Sequence, residues 1–406
     1  MKILCADAIA SELLQPLRDA GHEVLVEPEL DGTSLPDRLT DDSVEVLVVR
    51  STKVSKEALE ASPALSMVVR AGAGTDNIDK DVASALGIYV SNVPGQNAVA
   101  VAELAMGLLL AIDRQIPAGM ADLRSGKWNK GEYSKADGIL GKQIAIIGLG
   151  EIGYAVAHRA RSFGMPVTAL RKPDRSEDAQ SRIRAAGIRL IDTMEELLGS
   201  ADVVSLHVPG TPGTKGMVDA GFLAMMKDGA ILLNTARGDV LDAEALVTAM
   251  EEKNIHAGLD VWPSEPAGKS GEWASVLSQH PNVVGSHHIG ASTAQAQSAV
   301  AAGTVAVVEA YLDGRVINCV NMVDERLGEV VLTVRHLDKV GVLAKIFATI
   351  RKDGANVYQM ENQVFVGKIA AVASINLDHE PSVETLRAIE GDDDVLGVSI
   401  AVNRVP

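Results

Sequence analysis

Three polar side chains follow three apolar stretches of the sequence, and their types suit the oxidation of an alcohol beside a carboxylate. Arg237 follows ILLNTA, Glu265 lies in the proline-rich segment WPSEP, and His288 follows VVGSH. An arginine binds a carboxylate through two hydrogen bonds. A histidine titrates near neutral pH and can remove a hydroxyl proton, and a neighbouring carboxylate stabilises its protonated form. Together they predict a dehydrogenase for a 2-hydroxy acid.

The elements that must position these residues read as parallel sheets. Short apolar segments alternate with helical patterns, which is typical of a sheet covered by helices on both faces. One run extends from MKILCAD to GIYVSNVPG and a second from KQIAIIGLGEIG to HAGLDVW. The strand NVVGSHHIG and the helix after ASTAQAQSAV could return to the first run. Because ligands bind at the carboxyl ends of parallel strands, we expect the three side chains to meet there.

The predicted fold class is α/β, with two doubly wound parallel-sheet domains of the Rossmann or flavodoxin type and a third module. We expect residues 1–95 and 286–313 to form a discontinuous substrate-binding domain. Residues 96–285 then form a dinucleotide-binding Rossmann domain. Residues 326–406 show the order βαββαβ of a ferredoxin-like module.

The segment GLGEIG, between an apolar strand and a helical pattern, predicts dinucleotide binding. Gly148 permits the tight turn, Gly150 lets the backbone approach a pyrophosphate, and Gly153 allows the helix to pack on the strand. Free N–H groups at the start of the helix favour the phosphates. The predicted cofactor contacts in this segment also include Glu151 and Ile152.

The position that separates NAD from NADP holds a basic residue. About twenty residues after the fingerprint an acidic side chain normally binds the ribose 2′-hydroxyl, but here Arg171 follows VTAL, with Lys172 and Arg175 nearby. Guanidinium groups suit the 2′-phosphate of NADP. One charged hydrogen bond contributes about 1.5–3 kcal/mol, or roughly a tenfold preference or more. We expect NADP to be favoured over NAD, with a solvated basic turn as the alternative.

Composition limits the other classes of function. The chain has 406 residues, a net charge of −17 and two cysteines. This charge argues against nucleic-acid and anionic-membrane partners. The apolar segment NAVAVAELAMGLLLAID is short for a membrane span and contains Glu103, which favours a buried helix. The N-terminus lacks the apolar core of a signal peptide, so we expect a cytoplasmic protein, without a metal site.

The sequence resembles the D-isomer-specific 2-hydroxyacid dehydrogenases, and within them the members that act on phosphoglycerate. The motifs that carry the resemblance are VVRSTKVSKEAL, VRAGAGTDNID, NAVAVAELAMGLLLA, SGKWNK, GLGEIG, SLHVP, NTARGDVLD, LDVWPSEP and HIGASTAQAQ. The resemblance implies that Arg237, Glu265 and His288 are catalytic. It also implies that His207 and Asp260 line the nicotinamide side.

The same resemblance implies a phosphorylated substrate, 3-phosphoglycerate, oxidised at C2 in the first step of serine synthesis. The implied substrate contacts are Arg50, Ser51, Ala73, Gly74, Asn97 and Lys130, and the resemblance allows Lys130 to act across a dimer. The family's proline before the catalytic histidine is His287 here. A reductase of glyoxylate or hydroxypyruvate is one alternative. A nucleotide-sensing binding protein without turnover is another.

The C-terminal module resembles an ACT domain, a sensor of small molecules. His336, Asp338 and Asn356 fall where family members under serine control bind serine, so serine is a possible effector. Val340 replaces the usual proline before Gly341, and a purely oligomerising module is the alternative. Because ACT domains commonly pair edge to edge, we expect a homodimer or homotetramer.

Overall fold

The computed structural model describes residues 1–9, 11–40, 43–173, 175–266, 271–323 and 327–403. The chain divides into two compact units, Met1–Asn321 and Met322–Pro406. The first unit holds two parallel sheets and the second an antiparallel sheet. The predicted fold class is therefore confirmed. The predicted start of the third module, residue 326, lies outside the described residues.

The first sheet has five parallel strands in the order β2-β1-β3-β4-β5. These strands are β1 Lys2–Cys5, β2 Glu23–Val26, β3 Val46–Val49, β4 Met67–Arg70 and β5 Tyr89–Asn92. Four helices join them, α1 Gln15–Asp19, α2 Leu35–Thr40, α3 Lys56–Ala61 and α4 Lys80–Ala85. The strand order is that of flavodoxin, whose ligands bind where the order reverses, here between β1 and β3.

The second sheet has seven parallel strands in the order β12-β11-β10-β9-β6-β7-β8. They are β6 Ile144–Ile147, β7 Val167–Leu170, β8 Arg189–Ile191, β9 Val203–Leu206, β10 Ile231–Asn234, β11 His256–Leu259 and β12 Val283–Gly285. The intervening helices are α8 Glu151–Ser162, α9 Glu177–Ala185, α10 Met194–Ser200, α11 Ala220–Met225 and α12 Ala243–Lys253. This is the Rossmann order with a seventh strand, and it reverses between β6 and β9.

Strand β8 was not among the strands that the sequence pattern predicts. It is three residues long, lies at the edge of the sheet and includes the exposed Arg189. A strand this short carries too little alternation of apolar and polar residues to be distinguished from a loop.

Helices α5 to α7 and α13 connect the two sheets. They are α5 Ala98–Asp113, α6 Ile116–Arg124, α7 Lys130–Tyr133 and α13 Ala294–Leu312. The apolar segment predicted as a buried helix is α5, which packs in a core of the second sheet. Helix α13 packs on the first sheet. The suggested return of the strand NVVGSHHIG was wrong, because β12 pairs with β11 in the second sheet.

The second unit is a four-stranded antiparallel sheet in the order β14-β15-β13-β16. Its elements are β13 Val330–Leu337, α14 Val342–Asp353, β14 Val357–Val364, β15 Ala370–Leu377, α15 Val383–Glu390 and β16 Val395–Val402. Alternate apolar residues of β13 and one side of α14 form its core. None of the helices in the described part of the chain is long and apolar enough to cross a membrane.

Candidate active site

Arg237 lies in a turn that the last residue of β10 shapes. Asn234 is fully buried, and its side-chain amide donates to the Arg237 carbonyl at 2.8 Å while its oxygen accepts from Ala236 N–H at 3.0 Å. A buried amide that satisfies two backbone groups fixes the path of the turn. Asn234 is therefore a positioning residue that sequence reasoning missed.

The Arg237 guanidinium extends from the second sheet to the residues that follow β4 of the first. Its Nε donates to Asp76 Oδ2 at 2.9 Å and its Nη1 to the Ala236 carbonyl at 2.8 Å. A side-chain carbon at Gly74 would lie 2.0 Å from Arg237 Nη2, so the absence of a side chain there leaves room for the cation. The prediction that Gly74 and Arg237 share one site agrees with this placement.

His288 and Glu265 form a close pair. His288 Nδ1 and Glu265 Oε1 are 2.6 Å apart, and Glu265 Oε2 accepts from Trp262 N–H at 3.2 Å. Because Nδ1 is engaged by the carboxylate, Nε2 is the ring nitrogen left to exchange a proton with a substrate. The structure brings these two side chains together as the sequence predicts.

The pair shifts the pKa of both groups. The hydrogen bond that His288 donates to Glu265 raises the pKa of His288, against the effect of burial and of the positive charge of Arg237. Burial raises the pKa of Glu265, but the hydrogen bond and charge of His288 outweigh it and leave that pKa lowered. The site therefore favours a carboxylate beside an imidazolium, the state that donates a proton to a 2-oxo acid.

Replacing Glu265 with glutamine should lower the pKa of His288, because the carboxylate whose hydrogen bond and charge raise it is lost. In its predicted role, protonated His288 donates the proton in reduction, so the rate of reduction should fall as pH rises through that pKa. We expect this fall to occur at lower pH in Glu265→Gln. The measurement is kcat/KM for reduction across mildly acid to alkaline pH, with Glu272→Gln, exposed on the same loop, as control. An unmoved profile would contradict the assigned role of Glu265.

Asp260 holds the loop that carries His288. Its carboxylate, with only 2% of the residue exposed, accepts from Ser286 Oγ at 2.7 Å and from the N–H groups of Ile289 and Gly290 at 2.8 Å each. The Asp260 carbonyl accepts from His288 N–H at 2.8 Å. These bonds support a left-handed φ of 55° at His288, which costs free energy in a residue other than glycine. Contact of Asp260 with the nicotinamide stays a prediction.

Trp262 packs against the same loops. It was not singled out from the sequence. Its indole N–H donates to the Ser286 carbonyl at 2.8 Å. A side-chain carbon at Gly285 would lie 2.3 Å from the ring, so the ring lies directly against that backbone. Trp273 packs edge-on at 5.3 Å between ring centroids. The bond from Trp262 N–H to Glu265 therefore comes from a firmly held residue.

The glycine fingerprint has the geometry that a dinucleotide site requires. Gly148 has φ of 104°, and a side-chain carbon there would lie 2.4 Å from the His207 carbonyl oxygen. At Gly150, which precedes α8, a side-chain carbon would meet nothing within 4 Å. The turn is closed on its protein side and open over the helix N-terminus, where phosphates bind. Gly153 packs against the Gly148 carbonyl, at 2.1 Å for an added side-chain carbon.

The other predicted cofactor residues around the turn have protein contacts of their own. Glu151 pairs with Arg182 Nη1 at 2.8 Å, and Ile152 packs against the core of the second sheet. His207 Nε2 lies 2.8 Å from Ser205 Oγ, while its Nδ1 is buried without a hydrogen-bond partner. Burial lowers the pKa of His207 to about 4, so its ring is neutral. A buried unpaired nitrogen beside the fingerprint is available to a ligand.

The basic residues after β7 are partly engaged. Arg171 Nε donates to Asp192 Oδ1 at 2.5 Å. Arg175 Nη2 donates to the Leu170 carbonyl at 2.9 Å, whereas its Nη1 is buried without a partner. Lys172 is exposed. An unpaired buried guanidinium nitrogen next to Arg171 fits an anion, so the donor set is compatible with a nucleotide phosphate.

The turn that follows β3 carries Arg50 and Ser51, and a buried carboxylate holds it. Asp7, after β1, accepts from the N–H groups of Arg50, Ser51 and Thr52 at 2.6, 3.1 and 3.1 Å and from Ser51 Oγ at 2.7 Å. Burial raises the pKa of Asp7, but these bonds outweigh it and leave the pKa lowered. Because Asp7 follows β1 and the turn follows β3, the turn lies where the strand order reverses, which is the expected ligand crevice.

Arg70, the last residue of β4, is a cation of the site that sequence reasoning missed. Its Nε is buried without a hydrogen-bond partner. Burial, together with the charges of Arg237 and Arg50, lowers the pKa of Arg70 to about 10. A side-chain carbon at Gly72 would lie 1.6 Å from Arg70 Nη1, so glycine makes room for the guanidinium. The signal was present in VVRAG, since Arg70 ends a strand just as Arg237 follows one.

The remaining predicted substrate residues are placed as follows. Asn92 Nδ2 donates to the Ala73 carbonyl at 2.6 Å, which fixes the backbone before Gly74. Asn97 precedes α5, and its Oδ1 is buried without a partner. Lys130 is exposed at the start of α7. Its predicted action across a dimer stays a prediction.

The three predicted effector residues do not form one pocket within a single chain. His336 is buried and its Nε2 lies 3.1 Å from Asn362 Oδ1. Asp338 N–H bonds to the Ile369 carbonyl and Asn356 N–H to Asp378 Oδ1. Positions 369 and 378 flank the two ends of β15, roughly 30 Å apart at the rise of an extended strand. The three residues of one chain therefore lie too far apart to contact the same serine molecule, and serine binding by these residues stays a prediction.

Comparison with known proteins identifies the family of this chain. Residues 106–290 match the family model described as D-isomer specific 2-hydroxyacid dehydrogenase, NAD binding domain. The chain is 32% identical over 402 residues to a D-3-phosphoglycerate dehydrogenase of Haemophilus influenzae, covering 96% of this chain and 95% of that protein. The chain belongs to the D-isomer specific 2-hydroxyacid dehydrogenase family.

Two further members of the family illustrate its range. A D-3-phosphoglycerate dehydrogenase of Methanocaldococcus jannaschii is 38% identical over 337 residues, 81% of this chain, and the chain spans only 62% of that protein's length. A hydroxypyruvate reductase of Thermotoga maritima is 43% identical over 259 residues, which are 63% of this chain and 81% of that protein. Residues 106–290 are thus the family's NAD(P)-binding domain, which contains the fingerprint, Arg237, Glu265 and His288.

Proposed function

We propose that this dehydrogenase oxidises D-3-phosphoglycerate at C2 to 3-phosphohydroxypyruvate and catalyses the reverse reduction. The observation that carries the substrate class is the group formed by Arg50, Arg70 and Arg237. The charges of Arg237 and Arg50 lower the pKa of Arg70, and the carboxylates of Asp76 and Asp7 offset this only in part. The three arginines come from the carboxyl ends of three strands in two sheets. Grouped cations are costly unless an anion compensates them, and a phosphorylated 2-hydroxy acid carries two anionic groups.

The catalytic roles follow from the contacts. Arg237 has a guanidinium beside the Gly74 backbone and suits the substrate carboxylate. His288 Nε2 takes the hydroxyl proton in oxidation and returns it in reduction, while Glu265 holds the ring and its charge. The turn Gly148–Gly153 would hold a nicotinamide cofactor, which would supply the hydride acceptor for C2. Asp260 and Trp262 bond to the loop after β12 and so hold His288 close to Glu265.

For the cofactor we propose NADP in preference to NAD. The support is the absence of an acidic residue directly after β7, where Arg171 stands, and the unpaired Nη1 of Arg175. Both guanidinium groups suit a 2′-phosphate. Serine remains a possible effector only at a site to which two C-terminal modules contribute, and a homodimer or homotetramer remains the expected assembly.

The substrate proposal can be tested at Arg50. Arg50→Gln should lower kcat/KM for 3-phosphohydroxypyruvate about tenfold to a hundredfold, because one charged hydrogen bond contributes about 1.5–3 kcal/mol. The value for hydroxypyruvate, which lacks the phosphate, should stay within about twofold. The control is Lys53→Gln, which removes the same charge from an exposed side chain three residues away.

Equal losses on both substrates in Arg50→Gln would favour the alternative function, a hydroxypyruvate or glyoxylate reductase. The similarity to the Thermotoga maritima hydroxypyruvate reductase is the observation that keeps this alternative. In that case the arginine group would serve the carboxylate and the fold of the cleft rather than a phosphate.

A further inference from the structure

An acidic residue does lie beside the position that selects the nucleotide, but on the neighbouring strand. Strands β7 and β8 are paired in parallel, with Leu170 opposite Ile191. The next residues, Arg171 and Asp192, are therefore adjacent at the carboxyl edge of the sheet. Arg171 N–H bonds to the Ile191 carbonyl at 2.7 Å, and Arg171 Nε donates to Asp192 Oδ1 at 2.5 Å.

This ion pair reduces what Arg171 can offer to a phosphate. The carboxylate neutralises the guanidinium and occupies its Nε, and it would repel a second anion brought to the same place. Both side chains are exposed, at 55% for Arg171 and 71% for Asp192, so the pair is weak enough to be exchanged for another partner. Arg175, with one unpaired buried nitrogen, remains available in either state.

We propose that Asp192 is a specificity-determining residue that limits the selection of NADP by competing with the 2′-phosphate for Arg171. The inference rests on the proposed nucleotide site, and it concerns binding rather than turnover. The acidic residue that influences the choice of nucleotide then lies after β8 rather than after β7. An enzyme with this pair discriminates less between the two cofactors than Arg171 alone would allow.

The test uses two fragments that share the adenosine and the 5′-phosphate and differ in the 2′-phosphate. The affinities of the purified full chain for 2′,5′-ADP and 5′-AMP are measured by titration calorimetry. Asp192→Asn should raise the affinity for 2′,5′-ADP about fivefold and leave that for 5′-AMP unchanged. The control Glu195→Gln removes the same charge from an exposed side chain at the start of α10. It should change the affinity for neither fragment.

A second background shows whether the effect acts through the arginine. In Arg171→Gln the gain from Asp192→Asn should shrink to the small part that comes from removing the direct repulsion between carboxylate and phosphate, because no guanidinium remains to be released. An unchanged or lowered preference for 2′,5′-ADP in Asp192→Asn would overturn the inference, as would failure of both fragments to bind. The expected shift in a protein that turns over no 2-oxo acid would sustain the inference and refute the proposed function.

Discussion

Replacing His288 with asparagine is expected to lower kcat about a thousandfold, the range that a positioned general acid and base contributes. Asparagine keeps a polar side chain in the loop but cannot exchange a proton near neutral pH. Nδ1 of His288 is bonded to Glu265, so the lost activity is attributed to proton exchange at Nε2. The measurement is kcat for both directions of the reaction, together with the affinity for nucleotide, which should be retained.

The neighbouring residue provides a matched control for this substitution. His287 is also a histidine and is exposed, so His287→Asn makes the same chemical change one position away. We expect less than about a twofold effect on kcat, since no substrate proton is assigned to it. A large loss in His287→Asn with little in His288→Asn would mean that the catalytic histidine is the first of the pair.

Replacing Arg237 with lysine is expected to lower kcat/KM about a thousandfold although the charge is retained. A guanidinium presents two parallel donors to a carboxylate, and an ammonium presents a point charge. Two charged hydrogen bonds of about 1.5–3 kcal/mol each account for a loss of this order. The change also removes the Nε bond to Asp76. The measurement is kcat/KM for the 2-oxo acid at saturating cofactor.

The control for Arg237→Lys is Arg315→Lys, at an exposed arginine paired with Asp313, which should be neutral. Retention of more than about a tenth of the activity in Arg237→Lys would contradict bidentate binding of the carboxylate. It would leave Arg237 as a residue that contributes only charge to the cleft.

Much of the site was predictable because parallel sheets place the carboxyl ends of their strands at one edge. Arg237, Glu265 and His288 each follow a strand, and the pairing of β10, β11 and β12 brings them to one edge of the sheet. The glycine fingerprint was predictable for the same reason. These are residues whose position along a strand determines where the side chain lies.

Residues that act through burial or sheet pairing were not predictable. Asp7 reads as an ordinary turn residue, and the resemblance singled out Asp260 only for the nicotinamide side. Only the folded backbone shows that each carboxylate holds a turn through its N–H groups. The pairing of Arg171 with Asp192 depends on β8, a strand too short for its pattern to be read. The separation of Asn356 from His336 follows from the length of β15, which is unknown until the strands are paired.

The most direct test of the central claim is kcat/KM of the purified protein for 3-phosphohydroxypyruvate and for hydroxypyruvate, each with NADPH and with NADH. The grouped arginines predict that the phosphorylated substrate is preferred about a hundredfold or more, because its phosphate can accept charged hydrogen bonds that hydroxypyruvate cannot. An equal or higher value for hydroxypyruvate would contradict the assignment of Arg50 and Arg70 to a phosphate and with it the proposed function.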